Sequence, residues 1–470
     1  MKKFIIIPII ILLSVIMNIQ ITYAENDVNI LINNSEITVN GKTIETNTEN
    51  SVYLSNKMNN GGTSNDALSS DIEIDNIINI NSAGTYEFSG TLDDGQISVN
   101  ANNINGEVRI ILNNANITCK NAPAIFIYSK DVNNENCKVT IKTKSGSTNN
   151  ITGGKIKQSV EGWEDQEDIL YYIDKGYDDS KQYYERYKYD GAISSDVSLT
   201  FEGTGILNVT STKKEGIESK MHITINDGIY NIASLDDGIN ASTDNKSIIT
   251  INGGTIVVNV LDEAEEGDGL DSNGYLYING GTVYAFAHPG SDNGLDSDLG
   301  TYINGGTVLS TGSMYEEVKT SNNTKIVQMN FSKEVNEGES IAIVDENNNV
   351  VFAFKTDRKI STFVYSSNNL TNETYNVYTG TSIEGSLDKN SIYTDIDSID
   401  LNEMSKQENN NMGMGEQGKP NDIGRGNEKS KKIMPNTVAG NVVLIILVTI
   451  IVLITIMFIL FIVKNKKAKK

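Results

Sequence analysis

Apolar residues in this chain recur in short alternating runs separated by glycine, asparagine and aspartate, and over residues 215–311 the runs become a repeat. One phrase reads Glu215-Gly-Ile-Glu-Ser219, then Asp236-Asp-Gly-Ile-Asn-Ala241, Gly267-Asp-Gly-Leu-Asp-Ser272 and Ser291-Asp-Asn-Gly-Leu-Asp-Ser297. A second phrase alternates with it: Ile225-Asn-Asp-Gly228, Ile251-Asn-Gly-Gly-Thr255, Ile278-Asn-Gly-Gly-Thr282 and Ile303-Asn-Gly-Gly-Thr307. From Ile225 to Ile303 the steps are 26, 27 and 25 residues, a period typical of stacked repeats. The runs are rich in Ile, Val, Thr and Tyr, are broken by Gly-Gly and Asp-Gly, and are too short for helices. Short strands joined by glycine turns, three to a period, predict an all-β chain built as a parallel β-helix.

Alternation assigns the faces of each strand. With Leu270 and Leu295 pointing inward, Ile251, Ile278 and Ile303 form one stacked apolar column, and Ile256, Val258, Val283 and Ala285 extend the others. A one-residue slip would invert every column, so the register is strongly specified. Two outward columns remain. One is made of carboxylates, and the other holds Thr224, Thr250, Tyr277 and Tyr302.

The pattern changes along the chain. Residues 1–24 begin with Met1-Lys-Lys3, continue through an apolar run and end at Thr22-Tyr-Ala24, as a cleavable export signal does. Residues 25–83 alternate weakly and read as an N-terminal β region capping the solenoid. Residues 84–319 carry the coils, interrupted at 163–189 by a segment holding Trp163, Tyr183, Tyr184 and five further tyrosines among many acids. Residues 320–397 read as an antiparallel β cap, and 398–437 as a polar stalk without apolar period. The uncharged run within 438–463 is long enough for one C-terminal transmembrane helix, and the basic tail 464–470 would then lie in the cytoplasm. Met434-Pro-Asn-Thr437 before that run resembles the wall-sorting signals that sortases cleave after threonine, with Met434 and Val438 departing from the usual leucine and glycine. Membrane anchorage and wall attachment are both consistent with this end, and either puts the folded part on the extracellular face of the cell envelope.

A family resemblance rests on several stretches together. Gly84-Thr-Tyr-Glu-Phe-Ser-Gly-Thr-Leu-Asp-Asp-Gly-Gln-Ile97, Val108-Arg-Ile-Ile-Leu112 and the Ala124-Ile125 pair are among them, with the two repeated phrases. So are Ile341-Ala-Ile-Val-Asp345, Val350-Val-Phe-Ala-Phe354 and Tyr375-Asn-Val-Tyr-Thr-Gly380. Over residues 28–380 the chain resembles the bacterial polysaccharide-lyase-like carbohydrate-binding β-helix family of exported clostridial proteins. The resemblance implies a right-handed parallel β-helix, bound calcium, and affinity for cell-wall polysaccharide, cellulose-like or acidic and pectin-like.

Composition narrows the partners. A net charge of −23 with only four arginines excludes nucleic acid as an expected partner. His222 and His288, the only histidines, cannot build a three-histidine zinc site, and no CxxC motif replaces them. The only cysteines, Cys119 and Cys137, would either bridge neighbouring coils or remain buried thiols.

The acids raise a sharper question. Residues 262–298 contain nine acidic residues and no Lys or Arg. Equivalent positions on successive coils sit about 4.8 Å apart, where two unit charges repel by roughly 3 kcal/mol at an effective dielectric of about 20. Glu218, Asn240, Asp271 and Asp296, flanked by Asp237, Asp268, Asp292 and Asp298, would therefore be self-destabilising if bare. Asp190 and Asp196 form an equivalent turn one coil earlier. Hard divalent cations relieve such crowding, because calcium takes six to eight oxygens from carboxylates, amide carbonyls and turn backbone; these ten residues are the expected Ca²⁺ ligands. Asp-Gly and Asn-Gly are also ordinary turn formers, so solvated turn acids are the alternative.

Sugar contact falls to the aromatics. Tyr277 and Tyr302 on neighbouring coils, with Trp163, Tyr183 and Tyr184 in the interruption, are the expected carbohydrate-binding residues, since ring faces suit the apolar faces of sugars. Three readings follow: a calcium-stabilised, surface-displayed polysaccharide-binding protein without catalytic residues; a calcium-dependent polysaccharide lyase; and an adhesin for a protein partner. The lyase needs a basic residue beside the acids to abstract a proton. Lys213, Lys214, Lys220 and Lys246 are the nearest in sequence.

Overall fold

Each repeat folds into three short strands that stack in parallel on those of the coils before and after it. The computed structural model of the chain describes residues 27–58, 73–154, 158–161, 183–186, 191–290, 292–320, 324–372 and 374–409. Face one is a nine-stranded sheet that includes Gly191–Ser195, Glu215–Ser219, Ile239–Ala241, Leu270–Ser272 and Leu295–Ser297. Face two stacks Cys137–Thr143, Leu199–Gly203, His222–Ile225, Ile248–Ile251, Tyr275–Ile278 and Gly300–Ile303. Face three stacks Thr148–Gly153, Ile206–Ser211, Ile229–Ser234, Thr255–Val260, Thr282–Phe286 and Thr307–Gly312. Faces two and three belong to one 20-stranded sheet, because the long strands Gly84–Leu92 and Gly106–Thr118 pass from one to the other.

The inward columns follow from alternation. On face one Ile193, Ile217, Ile239, Leu270 and Leu295 stand in register, and each is at most 3% exposed. On the other faces Ile225, Ile251, Ile278 and Ile303, and Ile256, Val283 and Val308, form equally buried columns of one continuous core. Removing this apolar area from water stabilises the solenoid at about 25 cal/mol per Å².

The turns repeat as regularly as the strands. Between faces two and three, Asn252 donates to Asn226 at 2.9 Å, Asn279 to Asn252 at 2.9 Å and Asn304 to Asn279 at 2.8 Å, so one amide ladder satisfies the same corner of four coils. The second glycine of each Asn-Gly-Gly turn has φ of +87°, +82° or +88°, at Gly254, Gly281 and Gly306, a conformation that a side chain would disfavour.

Face three shows how the sequence marks the end of the helix. Its outward column begins with Asn116, Asn150, Asn208 and Asn231, another amide ladder, and then turns apolar at Val257, Tyr284 and Leu309. The apolar part lies under a second core made by the C-terminal strands, including Phe331, Phe352, Phe354 and Phe363. Arg358, 6% exposed, fastens this layer: its guanidinium donates to the Val260 and Ala287 carbonyls at 2.9 and 3.0 Å and to the Asn259 side chain. The last coil is closed by antiparallel pairing of Thr307–Gly312 with Ile360–Ser366, which also pairs with Ile326–Val335. Beyond it lie a four-stranded antiparallel sheet and the hairpin of Ile383–Leu387 with Tyr393–Ile399, and strand pairing continues to Ser405–Gln407.

One part of the expected fold class is corrected. The described residues are all-β, and no helix among them is long and apolar enough to cross a membrane, so the expected transmembrane helix is unsupported. The segment that suggested it, 438–463, and the leader 1–24 lie outside the described residues, as do Trp163 and Asp190. Cys119 and Cys137 are separate buried thiols and form no bridge. Cys119 ends face three whereas Cys137 starts face two, and burial pushes their pKa values up to about 12 and about 11.

Candidate functional site

Two features come from the same two coils, 270–278 and 295–303, on adjoining faces. On face one, strand register sets Ser194, Glu218, Asn240, Asp271 and Asp296 in one outward column. The turn before each strand adds further acids beside it. Carboxylate oxygens of Asp268, Asp271 and Asp296 lie within 4.8 Å of one another. Asn240 donates to Asp237 at 2.6 Å and to Asp271 at 3.1 Å, and the Asp268 amide donates to Asp237 at 2.7 Å. The Oδ1 of Asn240, a residue only 8% exposed, has no hydrogen-bond partner.

Such an oxygen is costly when buried without a donor. Here it lies in a column of carboxylates, and what satisfies carboxylates and an amide oxygen together is a cation or a set of protons. Burial and then the charge of Asp237 push the Asp268 carboxyl up to about 9. Asp237 and Asp271 are raised for the same reasons, burial first and neighbouring carboxylates second. Glu316, from the segment after the repeat, also joins the group. Its carboxyl is raised by burial and by a hydrogen bond with Asp296, and its oxygens accept from the Ser297 amide and hydroxyl, both at 3.2 Å. A hydrogen bond between two carboxyl groups requires a proton on one of them.

The remaining expected ligands are distributed differently. Glu218, 6% exposed, accepts from Ser194 at 3.0 Å and Ser242 at 3.1 Å. Asp292 accepts from the Gly267 amide at 3.0 Å and serves the turn. Asp298 is exposed, although its charge contributes to raising Asp271. Asp196 sits apart, accepting from the Ser129 amide at 2.8 Å, with Lys220 at 3.8 Å. Lys214, whose charge acts on Asp237, is ion-paired with Asp236.

On face two, Thr224, Thr250, Tyr277, Tyr302 and Lys319 share an outward column. The Tyr277 and Tyr302 rings stack with centroids 5.3 Å apart and an interplanar angle of 25°. Tyr275 completes a three-ring surface, 5.7 Å from Tyr277 and 6.2 Å from Tyr302. It occupies the neighbouring outward column, where the next coil has Gly300 and so leaves room for the ring. The Lys319 ammonium lies 5.4 Å from the centroid of Tyr302. Sequence reading missed Tyr275, since its position is not repeated, and Glu316, since it follows the repeat.

Tyr183 and Tyr184 lie on a short strand, Tyr183–Arg186, that pairs antiparallel with Gln158–Glu161 in a separate two-stranded sheet. Nothing brings that backbone into the sheet carrying the three-ring surface.

A family profile described as "Carbohydrate-binding domain-containing protein" matches residues 74–355, which include both features. A solved structure of the polysaccharide lyase-like protein from C. thermocellum covers 63% of this chain and 98% of its own, with 20% identity and a TM-score of 0.38, too loose a likeness to argue from. No curated protein matches the chain.

Proposed function

The chain belongs to the carbohydrate-binding domain-containing family, and from that premise we propose that it is a calcium-stabilised binding protein for cell-wall polysaccharide, cellulose-like or acidic, acting outside the cell. The observation that carries the binding role is the ring surface of Tyr275, Tyr277 and Tyr302, on a flat sheet face where an extended glycan can lie along successive coils. Export is supported by the sequence pattern of residues 1–24.

Calcium is supported by the donor set. Asp268, Asp271 and Asp296 supply clustered carboxylates, Asn240 a buried oxygen without a donor, and Asp237 and Glu316 flank them. All are oxygen ligands of the kind hard cations take. The ion would neutralise the column and tie three coils together. The lyase reading lacks a comparable observation, because Lys214 is engaged by Asp236.

The test is retention of the folded protein on insoluble cellulose and on immobilised polygalacturonate, with calcium and with chelator. Retention on either supports binding. Ultraviolet-absorbing unsaturated products from polygalacturonate would instead make it a lyase.

A further inference from the structure

Face two continues N-terminally from the tyrosines to a depression that nothing so far explains. Its volume is about 740 Å³, and loop residues 132–135 form one wall over the strands of four coils. The floor offers Thr140, Ser198 and Thr200, and the loop offers Asn133, Asn134 and Glu135. Two of its carboxylates are already compensated: Glu107 by Arg109 at 3.0 Å and Glu202 by Lys142 at 3.4 Å. Besides hydroxyls and amides, the exposed Glu135 and Lys138 bring one charge of each sign, so the lining has no excess of either.

The surface joining the depression to the rings is as telling. One outward column runs Thr200, Thr224, Thr250, Tyr277, Tyr302; the next runs Ser198, His222, Ile248, Tyr275, Gly300. None of these ten positions is acidic, and the only titratable base among them, His222, has its pKa lowered by burial. In a chain of net charge −23, this is a long uncharged strip of hydroxyls and ring faces. From Thr200 to Tyr302 it crosses four inter-coil steps, roughly 19 Å. That length suits an oligosaccharide.

We infer that face two is one extended glycan site, in which the depression under loop residues 132–135 is a distal subsite for a neutral hexopyranose unit of the chain that stacks on Tyr275, Tyr277 and Tyr302. The inference rests on the carbohydrate-binding reading above and specifies where the chain runs and which class it belongs to. Between Lys138 in the depression and Lys319 beyond Tyr302 the strip offers an anionic glycan no lysine or arginine, whereas a neutral one has hydroxyl partners at one end and ring faces at the other.

Calorimetry with cellobiose and cellohexaose tests this. Ser198 is exposed, so Ser198→Trp fills the depression without touching the core. The variant should bind cellohexaose at least tenfold more weakly than wild type, with cellobiose binding and the thermal transition unchanged. Equal cellohexaose affinity in a normally melting Ser198→Trp protein overturns the inference. If that variant does not fold, hydrogen exchange of the wild type decides: cellohexaose, but not cellobiose, should protect residues 132–135, and no protection overturns it. Wild type that binds polygalacturonate but neither cello-oligosaccharide refutes the subsite while leaving the carbohydrate-binding reading intact. Wild type that retains no glycan refutes both.

Discussion

The acidic column of face one and the tyrosine surface of face two are built by the same coils at the same spacing, yet repetition has opposite consequences in them. Rings stacked on successive strands attract one another, as the 5.3 Å pair Tyr277–Tyr302 does, so that surface is stable as it stands. Carboxylates stacked the same way repel, and Asp268, Asp271 and Glu316 hold on to protons far above the usual carboxylate range. A parallel solenoid thus makes a ready ligand surface from repeated aromatics and a ready cation site from repeated acids. The first needs only the fold, while the second needs either protons or an ion.

The largest expected effect breaks both regions together. Gly274 joins Leu270–Ser272 on face one to Tyr275–Ile278 on face two, and a Cβ there would lie 1.9 Å from the Ser247 carbonyl oxygen. Gly274→Ala should cost about 3 kcal/mol or more, lowering the denaturation midpoint and abolishing glycan retention and the calcium response alike.

The next separates the regions. Calcium at a hundred times its dissociation constant should stabilise wild type by about 2.7 kcal/mol, read as a raised Tm. The double variant Asp271→Ala/Asp296→Ala should lose that shift yet retain glycan. A shift that persists would remove these residues from the ligand set.

Proton dependence sharpens the same contrast. The Asp268 pKa is raised in the folded state from 3.8 to about 9, so its protonation favours the fold fully below about pH 4, and this contribution is lost as pH rises through 9. Thermal scans in chelator should therefore show Tm falling across that window, and saturating calcium should suppress the fall. Calcium binding should also release protons, measurable in buffers of different ionisation enthalpy.

The smallest effect lies outside both regions. Asn279→Ala removes two exposed amide ladder bonds, and should lower stability by about 1 kcal/mol in chemical denaturation, with calcium response and glycan retention unaltered.

The sequence reveals much of this because solenoid geometry converts periodicity into position. The echo of Asn240, Asp271 and Asp296 at one point of each repeat becomes a strand register, and the alternation around Tyr277 and Tyr302 becomes an outward column. What escapes is whatever the period does not carry. Glu316 reaches Asp296 from beyond the last full coil, and Tyr275 depends on a glycine opposite it. Asp196 shows the converse: its turn resembles the acidic phrase, but it accepts from the Ser129 amide instead of joining the cluster. The depression under residues 132–135 belongs to an irregular loop that no repeat predicts.

The central claim divides the labour between the two faces, and glycan retention by a Tyr277→Ala/Tyr302→Ala variant tests it most directly. Retention on whichever of cellulose and polygalacturonate holds wild type should fall at least tenfold, with the calcium-dependent rise in Tm preserved. Wild-type retention by this variant would contradict the account, because the ring surface would then not be where the polysaccharide binds.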